Sequence, residues 1–251
     1  MWIRLRQVAL VAEELAPVLE DLQAVFGLEV AFRDPGVVTF GLENMVIPVG
    51  SQFVEVVAPI REGTTAGRYL ERRKGNGGYM VICHTDDHAR RKARVAELGV
   101  RTVLNFDEHG YTCMQLHPRD TGGSFLEIDR QEGGEELDGP WSPAGPNWQP
   151  AKRTSVVDGI RAVEIQGDDP AALAQKWGDI VEIPVSGNGT PTLRLDNAEI
   201  RFLPDTDGRG EGLSGIELSA VDANKARSAA SERGLLDGDV ITICGTRFLL
   251  S

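Results

Sequence analysis

The stretch HPRDTGGSFLEID, residues 117–129, joins a turn to a strand in which one carboxylate interrupts an apolar run. Its proline and paired glycines are typical of a turn. The alternation of Leu126 and Ile128 with Glu127 is typical of a strand that buries one face. Because a lone carboxylate in such a strand usually faces solvent, Glu127 becomes a candidate functional residue only if other polar groups share its face.

Composition narrows the classes of partner. The chain has 251 residues, of which 41% are hydrophobic and 25% charged, and these values predict one large or two ordinary globular domains. Its formal net charge of -12 argues against nucleic acids and anionic membranes as partners, since both bind basic surfaces. No apolar run approaches the ~20 residues that span a bilayer.

Cysteine usage predicts the cellular setting. Cys83, Cys113 and Cys244 are odd in number and far apart, and they form no CxxC pair. Neither a disulfide framework nor a zinc knuckle is therefore indicated, and we expect a reducing, cytoplasmic environment. Glu13 and Glu14 interrupt the N-terminal apolar segment, so we expect no targeting sequence there.

One structural unit recurs four times along the chain. Residues 7–12 predict a strand, and the helical spacing of apolar residues from Leu15 to Phe26 predicts a helix. Short extended segments follow, namely LEVAF, VVTFGL, MVIPV and QFVEVVAP, with Asn44 and Gly50 as breaks between them. The same order returns at residues 78–130, 158–204 and 213–251, and the four predicted helices end at Gly27, Gly99, Gly178 and Gly234. The sequence therefore predicts an α+β fold of four βαβββ units.

A segment rich in proline and tryptophan separates the units into two pairs. Residues 136–154 contain four prolines, a density that excludes a helix or a central strand. We therefore expect residues 1–135 and 155–251 to form domains and residues 136–154 to connect them. Trp141 and Trp148 would be costly to expose, so we expect both to pack against a domain.

Alternation assigns the two faces of the strands in the first pair of units. The set expected to face the helices is Val8, Leu10, Ala12, Val54, Val56, Leu126 and Ile128. The opposite set contains Gln7, Glu55 and Glu127, which would point into a hollow that the sheet encloses. Polar residues from three strands thus share one inner face.

The repeated unit resembles that of the vicinal oxygen chelate superfamily, which includes glyoxalase I, methylmalonyl-CoA epimerase, extradiol dioxygenases and bleomycin-binding proteins. The resemblance is carried by QVALVAEELAPVLEDLQAVFGLEV, FVEVVAP, DDHARRKARVAELGV and LHPRDTGGSFLEI, the last of which looks most like the epimerase branch. It implies two glyoxalase-like, half-open barrel domains. Residues 1–135 would hold the active site, and residues 155–251 would be a degenerate copy.

The resemblance also implies a set of site residues. Metalloenzymes of the superfamily take one ligand from the first strand and one glutamate from the last strand of each unit. By position, these ligands become Gln7, Glu55, Met80 and Glu127. Met80 stands where the superfamily usually has histidine, and its thioether is a poor ligand for hard or borderline divalent ions.

Two alternatives for the cofactor therefore stay open. Gln7, Glu55 and Glu127 could together hold Mg, Mn, Ni or Zn. Equally, the site could lack a cofactor, in which case repulsion between the two glutamates raises the pKa of one of them and leaves an acid/base pair.

The second pair of units offers a contrasting set. The corresponding positions are Arg161, Arg201, Gly215 and Leu249. None of them suits a cation, so we expect no metal in this half, where the arginines at most bind an anion.

Three further residues complete the candidate site. His117 precedes the turn beside the last strand, where it could act as a catalytic acid or base or could hydrogen-bond within the turn. Arg68 and Arg72 belong to the basic segment 61–78. That segment would form either a lip that attracts an anionic substrate or a solvated helix.

Two functions remain open. The first is an isomerase- or lyase-type enzyme that acts on a small oxygenated anionic substrate through an enolate-like intermediate. The second is a metal-free protein of the bleomycin-resistance type that binds a small molecule over an apolar floor of Met80, Phe53 and Phe125. An extradiol-type dioxygenase is disfavoured because its iron site needs two histidines and the ligand positions offer none. Besides a small molecule, a second copy of the chain is the one partner considered.

Overall fold

The computed structural model describes all 251 residues and contains two seven-stranded mixed sheets. The first sheet comprises β1 (Ile3–Val11), β2 (Leu42–Val49), β3 (Gln52–Pro59), β4 (Gly77–Thr85), β5 (Thr102–Glu108), β6 (Tyr111–Leu116) and β7 (Phe125–Gln131). The second comprises β8 (Val157–Gly167), β9 (Thr192–Arg194), β10 (Glu199–Pro204), β11 (Gly212–Ala220), β12 (Leu236–Asp237), β13 (Val240–Ile243) and β14 (Thr246–Leu250).

Five α-helices accompany the sheets. They are α1 (Leu15–Phe26), α2 (Thr65–Arg73), α3 (His88–Glu97), α4 (Pro170–Val181) and α5 (Ala223–Glu232). Asp87, Asp169 and Asp222 cap α3, α4 and α5, each accepting a hydrogen bond from a backbone N–H of the first turn. None of the five combines the length and the apolar character needed to cross a bilayer.

The strand order confirms the predicted pairing of units. The first sheet runs β2-β3-β1-β4-β7-β6-β5 and the second β12-β13-β14-β11-β8-β10-β9, and neither sheet closes. The first strands of paired units lie antiparallel at the centre of each sheet, as β1 with β4 and β8 with β11. The last strand of each unit pairs with its own first strand in parallel. All units pair within one chain.

Four local predictions were wrong. LEVAF forms no strand, and most of VVTFGL lies in a 3-10 helix over Pro35–Phe40, which Asp34 caps by accepting a hydrogen bond from the Gly36 N–H. Asn44 is not a break but lies within β2. Helix α4 continues past Gly178 because the absence of a Cβ there lets residue 183 approach closely, and Glu182 then ends the helix in the left-handed conformation.

The faces assigned by alternation are confirmed. All seven residues expected to face the helices lie in one buried apolar cluster, which also contains residues of the second sheet such as Val163 and Ile216. The two sheets thus share a core on their helix-facing sides. Gln7, Glu55 and Glu127 lie on the opposite face of the first sheet.

The segment between the sheets packs against the first sheet. Trp148 is fully buried, with its ring edge-on to Phe53 at a centroid distance of 4.9 Å. Trp141 is 1% exposed and meets Tyr111 edge-on at 5.5 Å. The expectation that both tryptophans are buried is confirmed.

Candidate active site

A cavity of about 1000 Å³ lies on the inner face of the first sheet. Strands β1, β3, β4, β6 and β7 contribute to its wall, and α2 and the turn after β6 contribute to its mouth. The structure brings all the predicted site residues to this cavity: Gln7, Glu55, Arg68, Arg72, Met80, His117 and Glu127. Residues spread over 121 positions of sequence therefore meet because the two units pair across β1 and β4.

Glu55 is held by two amide donors. Gln7 donates from Nε2 to Oε2 of Glu55 at 2.8 Å, and Asn44 donates from Nδ2 to Oε1 at 2.7 Å. Burial raises the pKa of Glu55 to about 7, the Asn44 hydrogen bond opposes the rise, and the charge of Glu127 adds to it. Near neutral pH this carboxyl group can therefore both accept and release a proton.

Glu127 belongs to a second group of titratable residues. Gln115 donates a hydrogen bond to it at 2.8 Å, and burial raises its pKa. Asp129 lies two residues further along β7, and burial together with the Glu127 charge holds its pKa well above the usual range. Tyr111 donates its hydroxyl to Asp129. Burial thus favours the protonated form of both carboxyls, most strongly at Asp129.

One group of possible metal ligands is present beside this pair. Single donor atoms of Cys113, Glu127 and Asp129 all lie within 4.8 Å of one another. Burial raises the pKa values of the Cys113 thiol and of both carboxyls, which favours the protonated groups over the ionised ligands that metals need.

The predicted ligand set does not fit a divalent cation as it is arranged. Gln7 Oε1, the atom that would coordinate, accepts a hydrogen bond from the Trp141 indole at 2.7 Å. Its amino group points at Glu55 instead, and an NH₂ group cannot coordinate a cation. Met80 contributes only a thioether. A site built from Gln7, Glu55 and Glu127 would need the Gln7 amide to turn over.

The mouth of the cavity is basic. Arg68 bonds the Gly63 carbonyl at 2.7 Å and Arg72 the Gly123 carbonyl at 3.4 Å, so no carboxylate neutralises either guanidinium. His117 accepts the Arg119 N–H at Nδ1 at 3.1 Å, and both residues line the cavity. Segment 61–78 contains the helix α2, which also forms part of the rim of the cavity, and the attraction of an anionic substrate stays a prediction.

Helix α2 is anchored to the second half of the molecule. Arg73 is 1% exposed and donates to the carbonyls of Arg209, Gly210 and Glu211 at 2.8, 2.7 and 3.1 Å. In return, Arg209 donates to the Arg73 carbonyl at 2.9 Å. This reciprocal contact holds the helix that carries Arg68 and Arg72.

Some lining residues differ from expectation. Phe53 was expected in the cavity floor, but it lies beneath Trp148 and does not line the cavity. Tyr79 and Cys113, which were not among the site residues predicted from the sequence, both line the cavity. Asn44 and Trp141 were missed as partners of the site, since no sequence pattern links a residue to a hydrogen-bond partner on another strand.

Strand register confirms three of the four positions assigned in the second half: Arg201, Gly215 and Leu249. The fourth assignment was wrong, because register places Ala162, and not Arg161, at the position of Gln7. Arg161 sits at an irregularity in the pairing of β8 with β11 that matches the one at Arg6 between β1 and β4, so Arg161 corresponds to Arg6 and the assignment was one residue off.

Charged residues on this face of the second sheet pair with one another. Arg201 contacts Glu217, and it also contacts Glu199 at 2.9 Å. Arg247 contacts Glu164 at 2.9 Å. The carboxylates here have cationic partners from the same chain.

Comparisons with known proteins agree with the fold. The family model described as "Glyoxalase-like domain" matches residues 8–181. The chain is 26% identical over 133 residues to ethylmalonyl-CoA/methylmalonyl-CoA epimerase of Cereibacter sphaeroides, covering 51% of this chain and 97% of that one. It is 22% identical over 133 residues to human mitochondrial methylmalonyl-CoA epimerase, covering 51% and 73%.

A solved structure shows the two-sheet fold along the whole chain. A hypothetical protein from Staphylococcus aureus superimposes with a TM-score of 0.67 at 14% identity, covering 100% of this chain and 99% of that one. At this identity the likeness concerns the fold alone. With the family match spanning more than half of its residues, the chain belongs to the glyoxalase-like domain family of the vicinal oxygen chelate superfamily, near the epimerase branch.

Proposed function

We propose that the protein is an isomerase-type enzyme that inverts a carbon next to a carbonyl group by removing a proton and returning it from the other side. The observation that carries this proposal is the presence of two buried glutamates on one cavity, each in the last strand of its unit. Inversion needs two proton-transfer groups on opposite sides of one carbon, and paired units supply such groups from opposing strands.

The chemistry follows from the protonation states. At neutral pH one carboxylate removes the proton from the carbon, and the C–H electron pair moves into an enolate. The protonated partner then delivers a proton to the opposite face of the same carbon. Burial of Glu55 and Glu127 supports this division, because it raises both pKa values toward the range in which a carboxyl group works as acid or base.

The substrate class follows from the cavity mouth and from the relatives. The names of the relatives state that they act on methylmalonyl-CoA and ethylmalonyl-CoA, which are thioesters that also carry a carboxylate. We extend this class, a carboxylate-bearing acyl thioester, to the present chain. Arg68 and Arg72 lack carboxylate partners and would attract such an anion to an otherwise acidic protein.

His117 is assigned to the substrate carbonyl. Its Nδ1 accepts the Arg119 N–H, so the neutral ring carries its proton on Nε2. A donor at the rim can hydrogen-bond the oxygen on which negative charge develops. Met80, Arg68 and Arg72 are assigned to substrate binding. The cytoplasmic location and the homodimer stay predictions.

A second candidate function is metal-free binding of a small molecule. The size of the cavity and its aromatic lining, which includes Tyr79, Phe106, Tyr111 and Phe125, support this alternative. It predicts that the acyl thioester or an aromatic compound binds without any change in the bound molecule.

Deuterium incorporation separates the two candidates. Single epimers of methylmalonyl-CoA and ethylmalonyl-CoA are incubated with the protein in D₂O, and mass spectrometry follows both label at the α-carbon and inversion. Glu55→Gln and Glu127→Gln should each slow inversion by about 10²–10⁴-fold. Each variant should still exchange the proton of one epimer, and the two variants should prefer opposite epimers.

The matched control is Glu43→Gln, which changes an exposed glutamate on β2 next to β3 and should leave inversion unchanged. Saturable binding of the thioester without label incorporation would replace the enzyme proposal with the binding protein. Unchanged inversion in both active-site variants would sink the assignment of the two glutamates.

A further inference from the structure

We infer that Trp141 excludes divalent cations from the cavity by holding the Gln7 side chain with its amino group, and not its oxygen, toward Glu55. Trp141 thereby sets the chemistry of a site to which it contributes no catalytic group. The inference rests on the proposed function for the role of Glu55. Its test measures ion binding rather than turnover, so the two proposals can fail separately.

The orientation of Gln7 follows from donor chemistry. An indole N–H can only donate, so the Gln7 atom 2.7 Å from it must be the oxygen. The other end of the amide is then the NH₂ group, which lies 2.8 Å from Oε2 of Glu55. Glu55 in turn only accepts when it is ionised. The three groups therefore fix one another in a chain of two hydrogen bonds.

Trp141 cannot easily release this contact. Its ring is 1% exposed and is enclosed by Tyr111 and His84, at centroid distances of 5.5 and 5.3 Å. The next residue, Ser142, bonds Oε1 of Gln131 through its backbone N–H at 3.0 Å and its hydroxyl at 2.7 Å. Both ring neighbours of the indole lie on strands of the first sheet, and the residue after Trp141 is bonded to that sheet as well.

The consequence for a cation is direct. As it stands, Gln7 presents two N–H groups where a coordinating oxygen would be needed, and a cation next to them would be repelled. If the amide turned over, Gln7, Glu55 and Glu127 would offer three oxygens, to which water could be added in the way Mn²⁺ and Mg²⁺ accept. Turning the amide breaks both its bond from Trp141 and its bond to Glu55, and the first of these is supplied by the connecting segment.

The test compares Mn²⁺ binding to the full-length wild type and to Trp141→Phe. Binding is measured by the loss of the electron paramagnetic resonance signal of free Mn²⁺ and by the shift in Tm. Phenylalanine keeps the ring but removes the donor, so Gln7 can turn. Mn²⁺ affinity should rise by about 10–100-fold, the usual weight of a group that orients a metal ligand.

Three further variants make the test specific. Trp148→Phe removes a similar donor from the same segment, one that bonds the Gly139 carbonyl and not Gln7, and it should bind no more Mn²⁺ than the wild type. Trp141→Phe combined with Gln7→Leu should lose the gained affinity, which excludes the Cys113, Glu127 and Asp129 group as the source. Gln7→Glu removes the amino group while keeping Trp141, and it should gain affinity on its own.

Two results would overturn the inference. One is wild-type Mn²⁺ affinity equal to that of Trp141→Phe. The other is failure of Gln7→Glu to bind Mn²⁺, a variant that keeps the buried tryptophan and therefore tests the idea even if Trp141→Phe does not fold.

Discussion

The corresponding faces of the two sheets differ in whether their charged residues have partners of opposite charge. In the first sheet, Glu55 and Glu127 are buried on a cavity and bond only neutral amides. In the second sheet, register places Arg201 at the position of Glu55, and Arg201 pairs with Glu217. The backbone framework is common to both. What makes one face a candidate active site is that its charges are left without partners from the same chain.

The pKa values express this difference. Burial raises the pKa of Glu55 to about 7 because the hydrogen bonds from Asn44 and Gln7 do not offset the loss of water. Burial acts in the same direction on Glu217, but hydrogen bonds from Ser251 and Arg201 outweigh it and the pKa is lowered. Because hydrogen bonds offset the cost of burying its charge, Glu217 is a structural anion. At Glu55 they do not offset that cost, so this carboxyl group can take up and release a proton.

The largest effect expected from this contrast is on stability against pH. The pKa of Glu55 is about 7 in the folded protein, above its usual value of 4.5, so the folded state keeps a proton that the unfolded state releases. Stability from this group is complete below pH 4.5 and is lost as pH rises to 7. The loss amounts to about 3 kcal/mol, and Glu55→Gln should abolish it.

Urea unfolding at pH 4.5 and at pH 8 gives the free energy of unfolding at each pH. The effect is the change in this free energy between the two pH values, compared between the wild type and Glu55→Gln. Glu43→Gln serves as the control and should follow the wild type. Parallel pH profiles for wild type and Glu55→Gln would mean that the buried carboxyl is compensated after all, and the contrast between the two faces would disappear.

A smaller effect is expected at the cavity mouth. Arg72→Ala removes a guanidinium that no carboxylate neutralises, and should raise KM for the acyl thioester about 10-fold, or about 1.4 kcal/mol, with little change in kcat. Steady-state kinetics at low and high salt should show that salt weakens binding in the wild type more than in the variant. Lys176→Ala removes an exposed cation away from the cavity, so a comparable rise in KM for it would point to general rather than local attraction.

The smallest effect is expected in the second sheet. Arg201→Met leaves Glu217 and Glu199 without their shared cation and should lower stability by about 1 kcal/mol, the weight of a partly exposed ion pair, or about 2–4 °C in Tm. Thermal unfolding and the deuterium assay are run on the same sample. Inversion should be unchanged, and a loss of activity would show that the second face takes part in the reaction.

The sequence predicted the framework and the inner face well, for identifiable reasons. Alternation follows from strand geometry, so it placed Gln7, Glu55 and Glu127 on one face without knowledge of the fold. The four-fold repetition and the proline-rich segment predicted that the units form two pairs, which the strand order of the two sheets confirms. The resemblance to a known superfamily then indicated which inner-facing residues to examine.

The partners of those residues could not be predicted. Trp141 meets Gln7 across 134 positions, and Asn44 meets Glu55 through a strand that the sequence appeared to break. Alternation gives the face of a side chain but not its hydrogen-bond partner, which depends on packing over long separations. The Arg161 assignment missed Ala162 by one residue because the sequence alone does not fix the register between strands.

The contact between Arg73 and residues 209–211 bears on how the molecule can be divided. A fragment ending at residue 154 would retain every acidic group of the cavity, but Arg73 at the end of α2 would lose its three backbone acceptors. Such a fragment should bind substrate more weakly although it keeps its catalytic groups. The second half of the chain, in which the charged residues of the corresponding face pair with one another, thus supports the helix at the entrance of the cavity in the first half.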